Sequence, residues 1–306
     1  WPDAVGTVRV FDLPGLGSPA ATAARLLVAA AGSNDGWRGA DCWFVAGPDA
    51  EPVALGTVRP ALALGEIAAP LAAGSEYLVD TANALTVTLF NPSMTLESVG
   101  DAALLAGANR AMVGDELLQF ASAEPVGPGV WRLTRLLRRR AGSGSAVPAA
   151  AGTPFVLLND NAGLLLPEPL AAAAGSGTAR LQWARRGDVA MTDLDIPAGG
   201  MATRPLSPVH GRVDADGVGG VILSWRRRSR VDPGWRDEVD LPPGEAREAW
   251  QVRVVPPVAG VGPWECAVPM LAIAADMIAA LPTGAVAEIR QLGDFGLSLP
   301  HLVPLA

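Results

Sequence analysis

Arginine carries the most concentrated chemistry in this sequence. Arg135, Arg138, Arg139 and Arg140 form one cluster, and Arg226, Arg227, Arg228 and Arg230 form a second. A guanidinium fork binds carboxylate or phosphate bidentately. Each cluster is therefore either an anion-binding surface or a set of ion pairs with the chain's own surplus of acid. The second cluster has Asp232, Asp237, Glu238 and Asp240 close by in sequence. The chain carries 31 acidic residues against 23 basic ones, a net charge of −8, whereas a general nucleic-acid binder is basic with interleaved aromatics. Structural or intersubunit pairing is the expected role, with Arg135, Arg138, Arg139, Arg140, Arg226, Arg228 and Trp235 as interface candidates and no sequence-specific nucleic acid as partner. Strand phase should split the second cluster. If Val221, Leu223 and Trp225 face a core, Arg227 continues inward and needs a partner, while Arg226 and Arg228 project outward.

Other chemistry is sparse. Only two histidines, His210 and His301, are present, and no nucleophile elbow, phosphate-binding loop or zinc-protease motif occurs. The expectation is a non-enzymatic chain with no catalytic, cofactor or metal residues. Asp214-Ala215-Asp216-Gly217 begins like a calcium loop, but its twelfth position is Trp225, so a turn is expected. Asp193 and Asp195 alone offer too few oxygens. Cys42 and Cys266 form neither a zinc spacing nor a disulfide framework; whether they pair is open, and Cys42 reads as a buried thiol. Of nine Trp, those at 37, 43, 131, 225 and 250 sit in strand-like runs and read as core. Trp225 and Trp250 should meet in one core. Trp235 lies in the turn Asp232–Arg236 and reads as exposed, so a carbohydrate-binding module recognising a host surface glycan is the alternative reading. A cell-wall glycosidase using paired carboxylates is a weaker one.

Elements that position these residues are short. Half of the 306 residues are hydrophobic, and 35 Gly and 27 Pro suit many strands and turns. The expected fold is mainly β: consecutive β-sandwich or β-barrel-like domains at 1–97, 98–205 and 206–306. The first stretch has 4 Arg against 10 acids and holds most of the negative charge. Strands are expected over 37–45, 84–90, 130–137, 155–158, 221–225, 250–254 and 285–292, with a last one ending near Pro300. Residues 21–31 fit either an Ala-rich helix or a buried strand. The apolar runs 20–31 and 270–281 are too short for a bilayer and are interrupted by Arg25 and Asp276, so a soluble piece without a transmembrane segment is expected. Trp1 in place of Met fits a mature product or part of a longer chain.

Several segments in order carry a resemblance. Glu97–Arg110, Val113-Gly114-Asp115-Glu116-Leu117-Leu118-Gln119-Phe120 and Trp131–Arg138, followed by Pro205–His210, Leu223–Arg230 and Leu241–Glu245, resemble the large baseplate protein of alphaproteobacterial gene transfer agents and related siphophages. That family continues its Leu-Leu-Arg run as Gly-Arg-Arg-Gly-Thr, where this chain reads Arg139-Arg140-Ala141-Gly142-Ser143. The resemblance implies the C-terminal portion of a tail-tip hub protein in a virion or gene transfer agent. It also implies a trimer of identical copies beside other tail proteins. The order of strands and turns in 206–306 resembles a fibronectin type III module.

Overall fold

The computed structural model describes residues 4–15, 21–59, 61–144, 147–158, 163–231, 242 and 244–305. Trp235 and the acids at 232, 237, 238 and 240 lie outside the described residues. The chain divides into two units, one of residues 1–14 and 23–202, the other of 15–22 and 203–306. Both are built mainly of strands, as the composition implies.

The first unit begins with Gly6–Leu13 (β1), Arg25–Gly32 (β2), Ala40–Val45 (β3) and Val53–Val58 (β4). The run 21–31 is strand from Arg25 onward: every residue of β2 after Arg25 is buried, and a strand buried on both faces reads as an unbroken apolar run. Six strands follow: Leu64–Ile67 (β5), Leu85–Leu89 (β6), Arg110–Val113 (β7), Glu116–Gly127 (β8), Val130–Leu137 (β9) and Pro154–Leu157 (β10). They close into an antiparallel barrel in the order β10-β5-β6-β9-β8-β7. A short helix, Asp101–Leu105 (α1), precedes β7.

The chain then returns to the first sheets through Leu164–Leu165 (β11), the helix Glu168–Ala174 (α2), Arg180–Arg185 (β12) and Thr192–Asp195 (β13). β11 pairs with β2, and β12 pairs with β3. A barrel is thus inserted between the two halves of a sandwich made of sheets β1-β2-β11 and β13-β12-β3-β4. The expected boundary at 97/98 does not match this pairing. It cuts β5 and β6 away from their ladder partners β10 and β9.

Each layer has its own core. Phe44, Leu26, Val28 and Leu181 fill the sandwich, and Phe120, Phe155, Leu118, Leu133 and Leu136 fill the barrel. Burying one such side chain stabilises by about 1.5–3 kcal/mol. Trp37 and Trp43 are only partly buried. Trp37 lies in the loop before β3, and the inward phase of β3 is Ala40, Cys42 and Phe44. Trp131 likewise packs only partly against the barrel core.

The second unit contains Val209–Ala215 (β14), Val221–Arg226 (β15), Trp250–Val255 (β16), Trp264–Cys266 (β17), Met270–Ile273 (β18), the helix Ala275–Ala279 (α3), Val286–Gly293 (β19), Gly296–Leu297 (β20) and His301–Pro304 (β21). The expected last strand ending near Pro300 is instead a two-residue hairpin arm and a separate strand beginning at His301. Sheet β14-β15-β18 faces the five-stranded sheet β17-β16-β19-β20, in which β21 also pairs with β19, across a shared core. This antiparallel sandwich of three and five strands does not conflict with a fibronectin type III-like module. Trp225 and Trp250 meet at its centre, as expected, with ring centroids 5.9 Å apart in an edge-to-face contact. No described helix is long and apolar enough to cross a membrane.

Candidate functional site

The barrel end holds the most organised polar constellation. Strand alternation places Glu116 in phase with Leu118 and Phe120, and Arg138 in phase with Leu136; these three apolar side chains lie in the barrel core. Both charged side chains are therefore carried to the barrel's interior edge. There Arg138 is 4% exposed. Its Nε donates to Glu116 Oε1 at 2.7 Å and its Nη2 to Glu116 Oε2 at 2.9 Å, a bidentate fork. Its Nη1 donates to Asp80 Oδ2 at 3.1 Å and to the Ala72 carbonyl at 3.0 Å.

Asp80 is held in turn. The Ala82 and Asn83 backbone N–H groups donate to its Oδ1, and the Asn83 side chain donates to its Oδ2 at 2.8 Å. The backbone of Asp80 bridges Leu136 on β9. Burial pushes the Asp80 carboxyl up, but the bonds from Asn83 and Arg138 outweigh it and hold it below the usual carboxylate range. For Arg138, burial works against the charge, and Glu116 and Asp80 more than reverse this, raising the guanidinium above its ordinary value. Gly74 lies against the pair: a Cβ there would stand 2.6 Å from Asp80 Oδ2 and 2.7 Å from Arg138 Nη1. The loop 72–83 is clipped to the barrel by charge.

The same segments have further structural duties. Gln119 donates to the Leu104 carbonyl at 2.7 Å and the Ala108 carbonyl at 2.8 Å, closing the end of α1. Asn109 donates to the Glu97 and Phe120 carbonyls. Arg135 projects outward and pairs with Asp101 in the first turn of α1. Arg139 takes φ 49° and Ala141 φ 53°. Left-handed backbone costs a side-chain-bearing residue about 1–2 kcal/mol. The turn at Arg139 is held by the Arg139 N–H bond to Glu116 Oε1 at 3.0 Å.

The interface candidates thus separate. Arg138 leaves the set because it is buried at the barrel's interior edge, with four of its five N–H donors bonded within the chain. Arg135 and Arg140 are exposed, and Arg139 is partly buried. Sequence reading missed Glu116, Asp80 and Gln119. Glu116 carried a usable signal, since a charge on the inward phase of a buried strand needs a partner. Asp80 carried none, because its partner lies 58 positions away.

In the second unit Arg227, one residue past β15, pairs with Glu248 at 2.8 Å and is mostly buried, so it has the partner expected of it. Arg226 is exposed. Arg228 departs from expectation: β15 ends at Arg226, alternation stops there, and the Arg228 Nε turns back to the Ser207 carbonyl at 2.8 Å. Arg230 is more buried than Arg227 and donates to Glu245 Oε1 at 2.6 Å and to the Ala21 carbonyl at 2.7 Å. Glu245 Oε2 accepts the Asp294 N–H at 3.0 Å.

Asp216 behaves as a turn residue, its Oδ1 accepting the Val218 and Gly220 N–H groups, both at 2.8 Å. Cys42 and Cys266 are free and buried. Burial, reinforced by Asp41, pushes the Cys42 thiol up to about 12, so no thiolate forms near neutral pH. Burial and then Glu265 raise Cys266 as well.

No curated protein matches the chain. A family model described as "Rcc01698-like, C-terminal" matches residues 62–156. That span begins two residues before β5 and ends one residue before the end of β10. The segment similar to this family is therefore the barrel, from its first strand to its last, with the Glu116–Arg138–Asp80 network inside it.

Proposed function

We propose that this chain is a non-enzymatic structural component of a phage-like or gene-transfer-agent tail tip, contributing to baseplate assembly and to host attachment or DNA delivery. The observation that carries this reading is the coincidence of the Rcc01698-like match with one complete structural element, the inserted barrel. The ordered resemblance to baseplate proteins on either side of it adds to this support. The polar constellation in the barrel is consistent with such a role. Its charges are consumed in mutual pairing, which favours a rigid scaffold over a reactive site. In this reading identical copies surround a threefold axis beside other tail proteins, and the exposed Arg140 faces acids across interfaces, setting register more than affinity.

Imaging of purified particles carrying a tagged chain tests the proposal. The tag is expected at the tail tip in threefold arrangement. A chain that purifies as a stable monomer and is absent from every particle overturns it. Turnover of purified peptidoglycan or capsule by the chain would also overturn the non-enzymatic reading.

A further inference from the structure

The second unit carries a cleft of about 680 Å³ on the outward face of sheet β14-β15-β18. Register places its polar groups together. Arg212 on β14 stands opposite Ser224 on β15, Ser224 stands opposite Met270 on β18, and Arg226 lies two residues along β15 on the same face. The ladder between β14 and β15 is interrupted between Val209 and Arg212, and within that bulge His210 takes φ 54° and is exposed at the cleft. Bulges re-aim side chains in this way. Gly211 beside it has no room for a side chain, since a Cβ would stand 2.2 Å from Val303.

Charge pairing singles this cleft out. Among the described residues of the second unit, every other arginine has a partner. Arg212 and Arg226 have none, and both line the same cleft. Asp214 also lines it and offsets part of their charge. The remaining wall is apolar: Val268 and Met270 are more than half exposed, with Pro269 between them. β18 is an edge strand, paired to β15 alone in its sheet, and an edge is where an extended chain can add. Trp225, the one indole or phenyl ring at the cleft, is only 2% exposed, so the cleft offers a sugar no large ring face to stack on.

We propose that this cleft binds an extended acidic peptide segment of a partner protein, whose carboxylates pair with Arg212 and Arg226 while its apolar side chains cover Val268 and Met270 beside the free edge of β18. The partner being a neighbouring structural protein rests on the tail-tip reading; the cleft's preference for an acidic peptide does not. The test uses the full chain and three probes: a peptide of about ten residues alternating glutamate with valine and threonine, an oligogalacturonate, and inorganic sulfate, with the glutamine version of the peptide as control.

The glutamate peptide is expected to bind saturably, at least about tenfold tighter than its glutamine counterpart. The double variant Arg212→Gln/Arg226→Gln should lose at least about tenfold in affinity with an unchanged melting temperature, because both side chains are exposed and unpaired. Arg140→Gln should bind as the parent does. Tighter binding of oligogalacturonate than of peptide, peptide binding no better than sulfate, or absence of saturable binding by any probe overturns the proposal. None of these outcomes bears on where the chain sits in a particle, so the two readings fail separately.

Discussion

Two arginine runs of nearly the same length place one guanidinium each in the interior, and they do so differently. In the barrel Arg138 spans two carboxylates, Glu116 on one strand and Asp80 on a loop, so three chain segments meet at one cation. In the second unit Arg230 meets one carboxylate, Glu245, and one backbone carbonyl, that of Ala21. The difference lies in what is stranded when the cation is removed. Removing Arg138 leaves two buried acids without their shared cation, Asp80 keeping its bonds from Ala82 and Asn83 and Glu116 only that from the Arg139 N–H. Removing Arg230 leaves one acid that still accepts the Asp294 N–H. A buried pair adds little net stability over a well-packed apolar replacement, but breaking one is costly. The barrel is therefore the unit more sensitive to charge.

Arg138→Met is expected to have the largest effect, a loss of about 3–5 kcal/mol read by denaturant unfolding and by hydrogen exchange of the barrel amides. Adding Glu116→Leu should recover part of it; a loss below about 1 kcal/mol would place Arg138 among ordinary surface pairs. Arg230→Met should cost less, about 2–3 kcal/mol, with exchange confined to the second unit. An equal or larger loss would reverse the ranking of the two regions.

Asp80→Asn sharpens the comparison through pH. The Asp80 carboxyl is depressed in the folded state, so its contribution is fully present above the unfolded carboxylate pKa of about 4 and is lost as pH falls through the lower folded value. The gap between parent and variant, about 1–3 kcal/mol at neutral pH, should stay constant down to about pH 4 and shrink below it. A gap that widens in acid would contradict the assignment.

Smaller effects come from the turn. Arg139→Gly relieves left-handed backbone while keeping the N–H bond to Glu116, and should stabilise the barrel by up to about 1 kcal/mol in melting experiments. Arg140→Glu, exposed and unpaired, should change folding by less than about 0.5 kcal/mol; under the tail-tip proposal it impairs assembly instead, measured as incorporation into particles.

Much of the fold was legible locally. β6, β9, β10, β15, β16 and β19 all lie within or beside expected strands, because alternation and β-branched runs specify extended backbone without reference to partners. The Trp225–Trp250 contact follows from the same phase rule. Residues 21–31 were ambiguous because a fully buried strand has no alternation to distinguish it from a helix. Arg228 was misjudged because β15 ended two residues earlier, which no local pattern marks.

The sequence by itself determined that the chain is mainly β, that its acids outnumber its bases, and that each inward-phase charge required a partner. These are properties of period, composition and burial cost. Tertiary structure alone decided the partners. Closing the barrel between the two halves of a sandwich brings Asp80 to Arg138 across 58 residues, and the same insertion replaces three successive domains with two units. Strand pairing is non-local: a strand's own residues specify which face is apolar, while its ladder neighbour is set by which closure buries the most surface with every backbone group satisfied.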